Sequence, residues 1–324
     1  MITRRDVMVA CALALFVAGY ARAQTPTPLP RIGVLALADI PYVNDALRKG
    51  LRAHGLVDGQ SVAIVYRSAG GKVERLPELA GELVGSKVEL IVAMGAGPAR
   101  AVKQATTSIP IVMAPVGNPV EGGFVTNLAR PGGNITGVSL VSLDLAAKRI
   151  AIAKELLPKL ERVVVLMTTH TSAPEPVKAS SREAARRLGV QVEFINADDP
   201  ADFERAFVAA KQARADAVVV TPSPLFNSER ERLSGLAQRY RMPVIGEARE
   251  FAASGFVIGY GPSIGDATYR SAAYVDKILK GANPGDLPVD QPLVFEMTVN
   301  LKTAKALGIT IPQSLLLRAD EVIQ

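Results

Sequence analysis

The 324-residue sequence contains no tryptophan, one cysteine and two histidines, and only 5% of it is aromatic. One cysteine rules out a disulfide within the chain and any zinc site built on several thiolates. Two histidines, His54 and His170, stand far apart and form no H-E-x-x-H pattern, so no metal is expected and no cofactor is implied. The sequence also lacks a G-x-x-x-x-G-K-[ST] phosphate loop and a G-x-S-x-G nucleophile turn, which argues against an ATPase or a serine hydrolase. The formal charge is +6, but Arg4, Arg5 and Arg22 against Asp6 supply two of those charges. The remaining basic residues alternate with acidic ones, as in Glu229-Arg230-Glu231-Arg232, and no aromatic platform accompanies them, so nucleic acid is not an expected partner.

The hydrophobic fraction of 48% is carried mainly by Ala, Val, Leu and Ile, a mixture suited to buried parallel strands and their covering helices. At the N-terminus, Thr3-Arg4-Arg5-Asp6 gives a positive start, Val7 to Gly19 is apolar, and Ala21-Arg22-Ala23 is a small-x-small cleavage site. These are the parts of a secretory signal peptide over residues 1–23. The apolar run is too short to span a bilayer, which needs about 20 residues. The expected destination is the periplasm, by the general or the twin-arginine route, with a mature protein that does not span the membrane. Cys11 lies inside the apolar run and is poorly placed for lipidation.

From Arg31 onward, short β-rich runs alternate with helical stretches and end in Gly, Pro, Asn or Thr. One series runs from Ile32 to Met113 and a second from Val163 to Ile245. Such alternation predicts parallel sheets with right-handed crossovers. The expected fold class is therefore α/β, with two Rossmann-like lobes. The late segments Gly255 to Tyr260, Tyr274 to Leu279, Leu293 to Val299 and Leu301 to Leu307 follow two complete-looking lobes, as crossings between lobes would produce.

Specific strings carry a resemblance. Ala129-Arg130-Pro131-Gly132-Gly133-Asn134-Ile135-Thr136-Gly137, Tyr274 to Ala282, Asn300 to Gly308 and Ile311 to Glu321 resemble the tryptophan/tyrosine-type substrate-binding proteins of ABC transporters. The resemblance implies a type I periplasmic-binding-protein fold, two lobes joined by three crossing segments near Gly137 to Leu140, Gly259 to Gly261 and Pro288 to Pro292. Lobe I would comprise residues 30–138 plus 260–288, and lobe II residues 139–259 plus 289–324. Two loops depart from the family pattern: Asn118 stands where relatives often carry Asp, and Thr168 to Ser172 lacks an Asn/Pro-rich character, which leaves the ligand open.

Ligands of open α/β sheets bind beyond the carboxyl ends of the strands, where loops and helix N-termini present free backbone N–H groups. The loop candidates in lobe I are Asp39, Tyr42, Gly95, Ala96, Gly97, Val116, Gly117 and Asn118. In lobe II they are Thr169, His170, Ser223 and Glu247, with Tyr260 on a crossing. Small residues at Gly95-Ala96-Gly97 let amides approach a carboxylate closely; the same string also serves as a plain strand-to-helix turn. Asp39 and Glu247 suit a ligand ammonium, or else a solvated loop charge or cap. Tyr42 and Tyr260 suit ring stacking, a directional hydroxyl, or packing. His54 suits a helix C-cap.

The expected function is that of an exported, monomeric receptor that binds an amino acid, aromatic acid or other organic acid and delivers it to an inner-membrane permease with a separate ATPase. The alternatives are a ligand-binding subunit for a signalling receptor and, least favoured, an enzyme.

Overall fold

The computed structural model describes residues 28–324 apart from 141, 172, 292 and 293. Residues 1–23, read from the sequence as a signal peptide, lie outside the described residues. The first sheet is built from β1 (Arg31–Ala36), β2 (Ala63–Ser68), β3 (Leu90–Met94), β4 (Ile111–Val116) and β5 (Ile135–Ser139), all parallel, in the order β2-β1-β3-β4-β5. Helices α1 (Pro41–Ala53), α2 (Leu76–Gly85) and α3 (Ala96–Ala105) are the crossovers. Central strands such as β3, Leu-Ile-Val-Ala-Met, are buried at every position because helices cover both faces, which is why they read as continuous apolar runs.

The second sheet repeats the plan. It consists of β6 (Arg162–Met167), β7 (Gln191–Asn196), β8 (Ala217–Val220) and β9 (Val244–Gly246), then β10 (Ile258–Gly261), β11 (Glu296–Asn300) and β12 (Glu321–Ile323). The order is β12-β11-β10-β9-β8-β6-β7. Its helices are α4 (Ser142–Leu156), α5 (Pro174–Arg187), α6 (Asp202–Gln212), α7 (Pro224–Ser228), α8 (Arg230–Arg239) and α9 (Arg249–Ala253). The edge strand β7, Gln-Val-Glu-Phe-Ile-Asn, has its polar residues exposed, as a strand with one covered face should.

The chain passes between the sheets three times: after β5, after β10, and between Leu287 and β11. After β10 it returns to the first sheet as α10 (Ile264–Leu279), which lies against α1 and beneath β4 and β5. Ser263 caps this helix by accepting from the Asp266 amide. The helix begins ten residues earlier than the sequence pattern suggests, because its first turns are made of small residues, Ala267, Thr268, Ser271 and Ala272, that are buried without looking apolar. Strands β10 and β11 pair antiparallel, although every other pair is parallel. The topology requires it: the chain leaves the second sheet through β10 and re-enters through β11. After α11 (Leu301–Leu307) and α12 (Gln313–Leu316), β12 adds a parallel edge strand that the sequence pattern did not reveal.

Candidate ligand cleft

Both sheets share one topological logic. In the first, the order turns between β1 and β3; in the second, the equivalent turn falls between β6 and β8. At such a switch point the neighbouring loops diverge and leave a crevice outside the strand ends. The two crevices face each other. Leu37, Ala38 and Ile40 after β1, Gly95, Ala96 and Gly97 after β3, Pro115 near the end of β4 and Gly117 just beyond it form one wall. Thr168, His170 and Thr171 after β6, Pro222 to Leu225 after β8, Asn227 in α7, and Glu247 after β9 form the other. Together they line a concave crevice, open at its mouth, of the kind that takes a small molecule.

The lobes touch each other around this space. The Asn227 Nδ2 donates to the Tyr42 hydroxyl across the cleft at 2.7 Å, and the Arg230 guanidinium lies 5.9 Å from the Tyr42 ring centroid. One apolar cluster runs from Leu35, Leu76 and Ile91 of the first lobe to Val164, Leu225 and Phe226 of the second. Gly95 has φ of 100°, and a Cβ there would stand 2.8 Å from Pro224 Cγ of the opposite lobe. Gly95→Ala is therefore expected to weaken ligand binding by about tenfold or more, since it meets both the left-handed backbone and the closed interface. Adding Pro224→Ala should recover the interface part, as titration calorimetry would record.

The electrostatics of the cavity are one-sided. Among its described wall residues there is no lysine or arginine, whereas Glu247 is 4% exposed and belongs to the wall. Burial pushes its carboxyl up to about 8; the nearby Arg149 charge and the Ser223 backbone N–H, which donates to it, oppose that rise. Arg149 projects from α4 and is wholly buried. Its Nε donates to the Tyr260 carbonyl at 2.8 Å and its Nη2 to the Glu247 carbonyl at 3.0 Å, while Nη1 has no partner among the described residues. Burial lowers its guanidinium to about 10, which leaves it charged at neutral pH. Room for this contact comes from Gly261, where a Cβ would fall 2.0 Å from the Glu247 carbonyl oxygen and 3.0 Å from Arg149 Nη2.

Of the residues singled out from sequence, Gly95, Ala96, Gly97, Gly117, His170, Ser223 and Glu247 stand in the wall. The others are placed elsewhere. Asp39 is exposed and accepts from the Tyr66 hydroxyl. Val116 is buried within β4, and Asn118 is buried just beyond it at φ of 43°. Thr169 spends its hydroxyl and amide on Asp198, itself a wall residue. Tyr42 is engaged by Asn227, and the Tyr260 ring belongs to a separate crevice with Lys148, Phe295 and Met297. His54 ends α1 near Asp276. Asn44, Asp198, Asn227 and Arg149 were not singled out. Among the described residues no three His, Cys, Asp or Glu side chains converge as a metal site would require, and no helix is long and apolar enough to cross a membrane.

Comparison with known proteins agrees with this architecture. The sequence pattern of the family described as ABC transporter substrate binding protein matches residues 39–323. A tyrosine-binding protein from Clostridioides difficile is 27% identical over 282 residues, covering 86% of this chain and 81% of that protein. A conserved domain protein of Vibrio cholerae superposes with a TM-score of 0.85 at 26% identity, over 90% of this chain and 99% of the other. A Streptococcus pneumoniae ABC domain in complex with L-Trp gives 0.82 at 25% identity, over 91% and 100%.

Proposed function

The chain belongs to the family of ABC transporter substrate binding proteins, and we propose that it is the exported, periplasmic receptor for an apolar or aromatic amino acid, which it hands to a membrane permease. The observation that carries this reading is a cleft with one buried carboxyl and no lysine or arginine among its described wall residues. An ammonium group placed at Glu247 would exchange a costly buried acid for a charge pair. A ligand carboxylate, finding no lysine or arginine there, would turn to the amides at the start of α3, beside Gly95-Ala96-Gly97. Leu37, Ile40, Val43, Met94, Leu140, Leu225 and Ile264 would enclose the side chain. The relatives that bind tyrosine and tryptophan agree with this chemistry. No aromatic residue stands in the described wall, so an aromatic ring would be held by aliphatic packing rather than stacking. The protein would bind and release its ligand unchanged.

A thermal-shift series tests the reading. L-tyrosine, L-tryptophan, L-leucine and L-phenylalanine are compared with analogues that keep the carboxylate and ring but lack the amine. Amino acids should stabilise the protein, by about 2.7 kcal/mol at one hundred times the dissociation constant. Equal shifts from the amine-free acids, or no shift from any amino acid, would overturn it.

A further inference from the structure

Asn227 is 2% exposed and sits in the short helix α7, which Ser223 caps by accepting from the Leu225 amide. Its Nδ2 is committed to Tyr42 of the other lobe, at 2.7 Å. Its Oδ1 is buried and has no hydrogen-bond partner among the described residues. Asn227 belongs to the cavity wall and Tyr42 does not; with Nδ2 engaged by Tyr42, Oδ1 is the amide end that still lacks a partner. Burial first, and then the nearby carboxyl groups of Glu250 and Glu247, raise the Tyr42 phenol well above its ordinary value, so the hydroxyl stays neutral.

A planar amide has two ends that cannot be satisfied independently. Tyr42 satisfies whichever end faces it, and in a closed, empty cleft the other end is left buried without a partner, which is unfavourable. In an open cleft, water removes that defect. A ligand that brings an N–H donor removes it as well, and only in the orientation seen here, with Oδ1 toward the cavity and Nδ2 toward Tyr42.

We propose that Asn227 is a positioning residue that reads the ligand's ammonium and couples it to closure: the ammonium occupies Oδ1 beside Glu247, and this fixes Nδ2 on Tyr42 so that the lobes latch. The inference rests on the reading of the ligand as an amine. It assigns Tyr42 to the latch, where its hydroxyl contributes to affinity without touching the ligand.

The test uses L-tyrosine and L-tryptophan and their amine-free counterparts, 3-(4-hydroxyphenyl)propionate and indole-3-propionate, with affinity from titration and lobe closure from small-angle scattering. Asn227→Leu removes both ends of the amide, and Tyr42→Phe removes only the hydroxyl, a change with little risk to folding. In Asn227→Leu, amino-acid affinity should fall about tenfold, the weight of one hydrogen bond to a charged group. The preference over the amine-free acid should shrink by the same factor, and the compaction that ligand induces should weaken, because the bond to Tyr42 is lost with the amide. Tyr42→Phe should lose about fivefold in affinity, through faster release, with the amine preference retained. If Asn227→Leu keeps both the parental preference and the parental ligand-induced compaction, the latch is wrong while the amine reading stands. If the parent protein itself shows no preference for the amine, the amine reading has failed and the latch with it.

Discussion

Glu247→Gln is expected to lower amino-acid affinity by about two orders of magnitude and to abolish its dependence on pH. Truncating one partner of a buried charge pair typically costs about 2–5 kcal/mol, and every 1.4 kcal/mol is tenfold. The pH dependence follows from the carboxyl standing at about 8 in the ligand-free protein, raised by burial. Below that pH the group is protonated, and binding an ammonium must expel the proton. Affinity should therefore rise through pH 6 to 8, by up to about tenfold per unit, and level off above 8 until the ligand amine itself titrates. Calorimetry in buffers of different ionisation enthalpy would show up to one proton released per ligand at pH 6.5 and none in Glu247→Gln. Stability of the ligand-free protein moves the other way. Between the ordinary glutamate value near 4.5 and about 8, the unfolded chain gives up this proton while the folded one keeps it. Folding stability is thus lost as pH rises through that window, with a slope of about 1.4 kcal/mol per unit, and the Gln variant should lack this component. A melting series showing the same slope in both proteins would remove Glu247 from the account.

Arg149→Met should be the most destabilising single change near the cleft, by roughly 2–4 kcal/mol in urea unfolding. Its guanidinium ties the carbonyl of Glu247, beyond β9, to that of Tyr260, in β10, from beneath. Methionine keeps most of the volume but abandons both carbonyls, and a buried polar group left without a partner costs about 1–3 kcal/mol. Lysine should restore little, since a single ammonium cannot span the two acceptors that a planar fork reaches. The variant has a second signature. Arg149 holds the Glu247 carboxyl lower than burial alone would, so its removal should move the plateau of the binding profile to higher pH. Unchanged stability together with an unchanged profile would show that the fork is dispensable.

Much of the fold was legible because parallel strands buried on both faces are written as uninterrupted apolar runs, and the Gly and Pro punctuation between them marks the turns. The loops after β3, β6, β8 and β9 could be placed at one end of the sheets on that basis, and Glu247 with them. What escaped did so for identifiable reasons. Arg149 follows Lys148 in a helix whose charges look solvated, and only the close passage of β10 above it shows otherwise; Gly259-Tyr260-Gly261 is the local trace of that passage. Asn227 lies in a five-residue helix that the pattern merged with a loop, although Ser223-Pro224 is a helix-start signal. Tyr42 and Tyr260 looked alike as candidate ring contacts. Their difference, one facing a partner lobe and one a separate crevice, depends on how the sheets are set against each other, which no local pattern encodes.

The last crossing has a mechanical consequence. Val138 and Asp290 form a bridge, with the Ser139 amide donating to the Asp290 carbonyl and the Asp290 amide to that of Gly137, and the Tyr274 hydroxyl donates to Pro288 beside them. Two crossings joined by a pair of backbone hydrogen bonds cannot slide past each other without breaking both. Any rearrangement of the lobes that keeps these bonds has to carry the two crossings together as one piece.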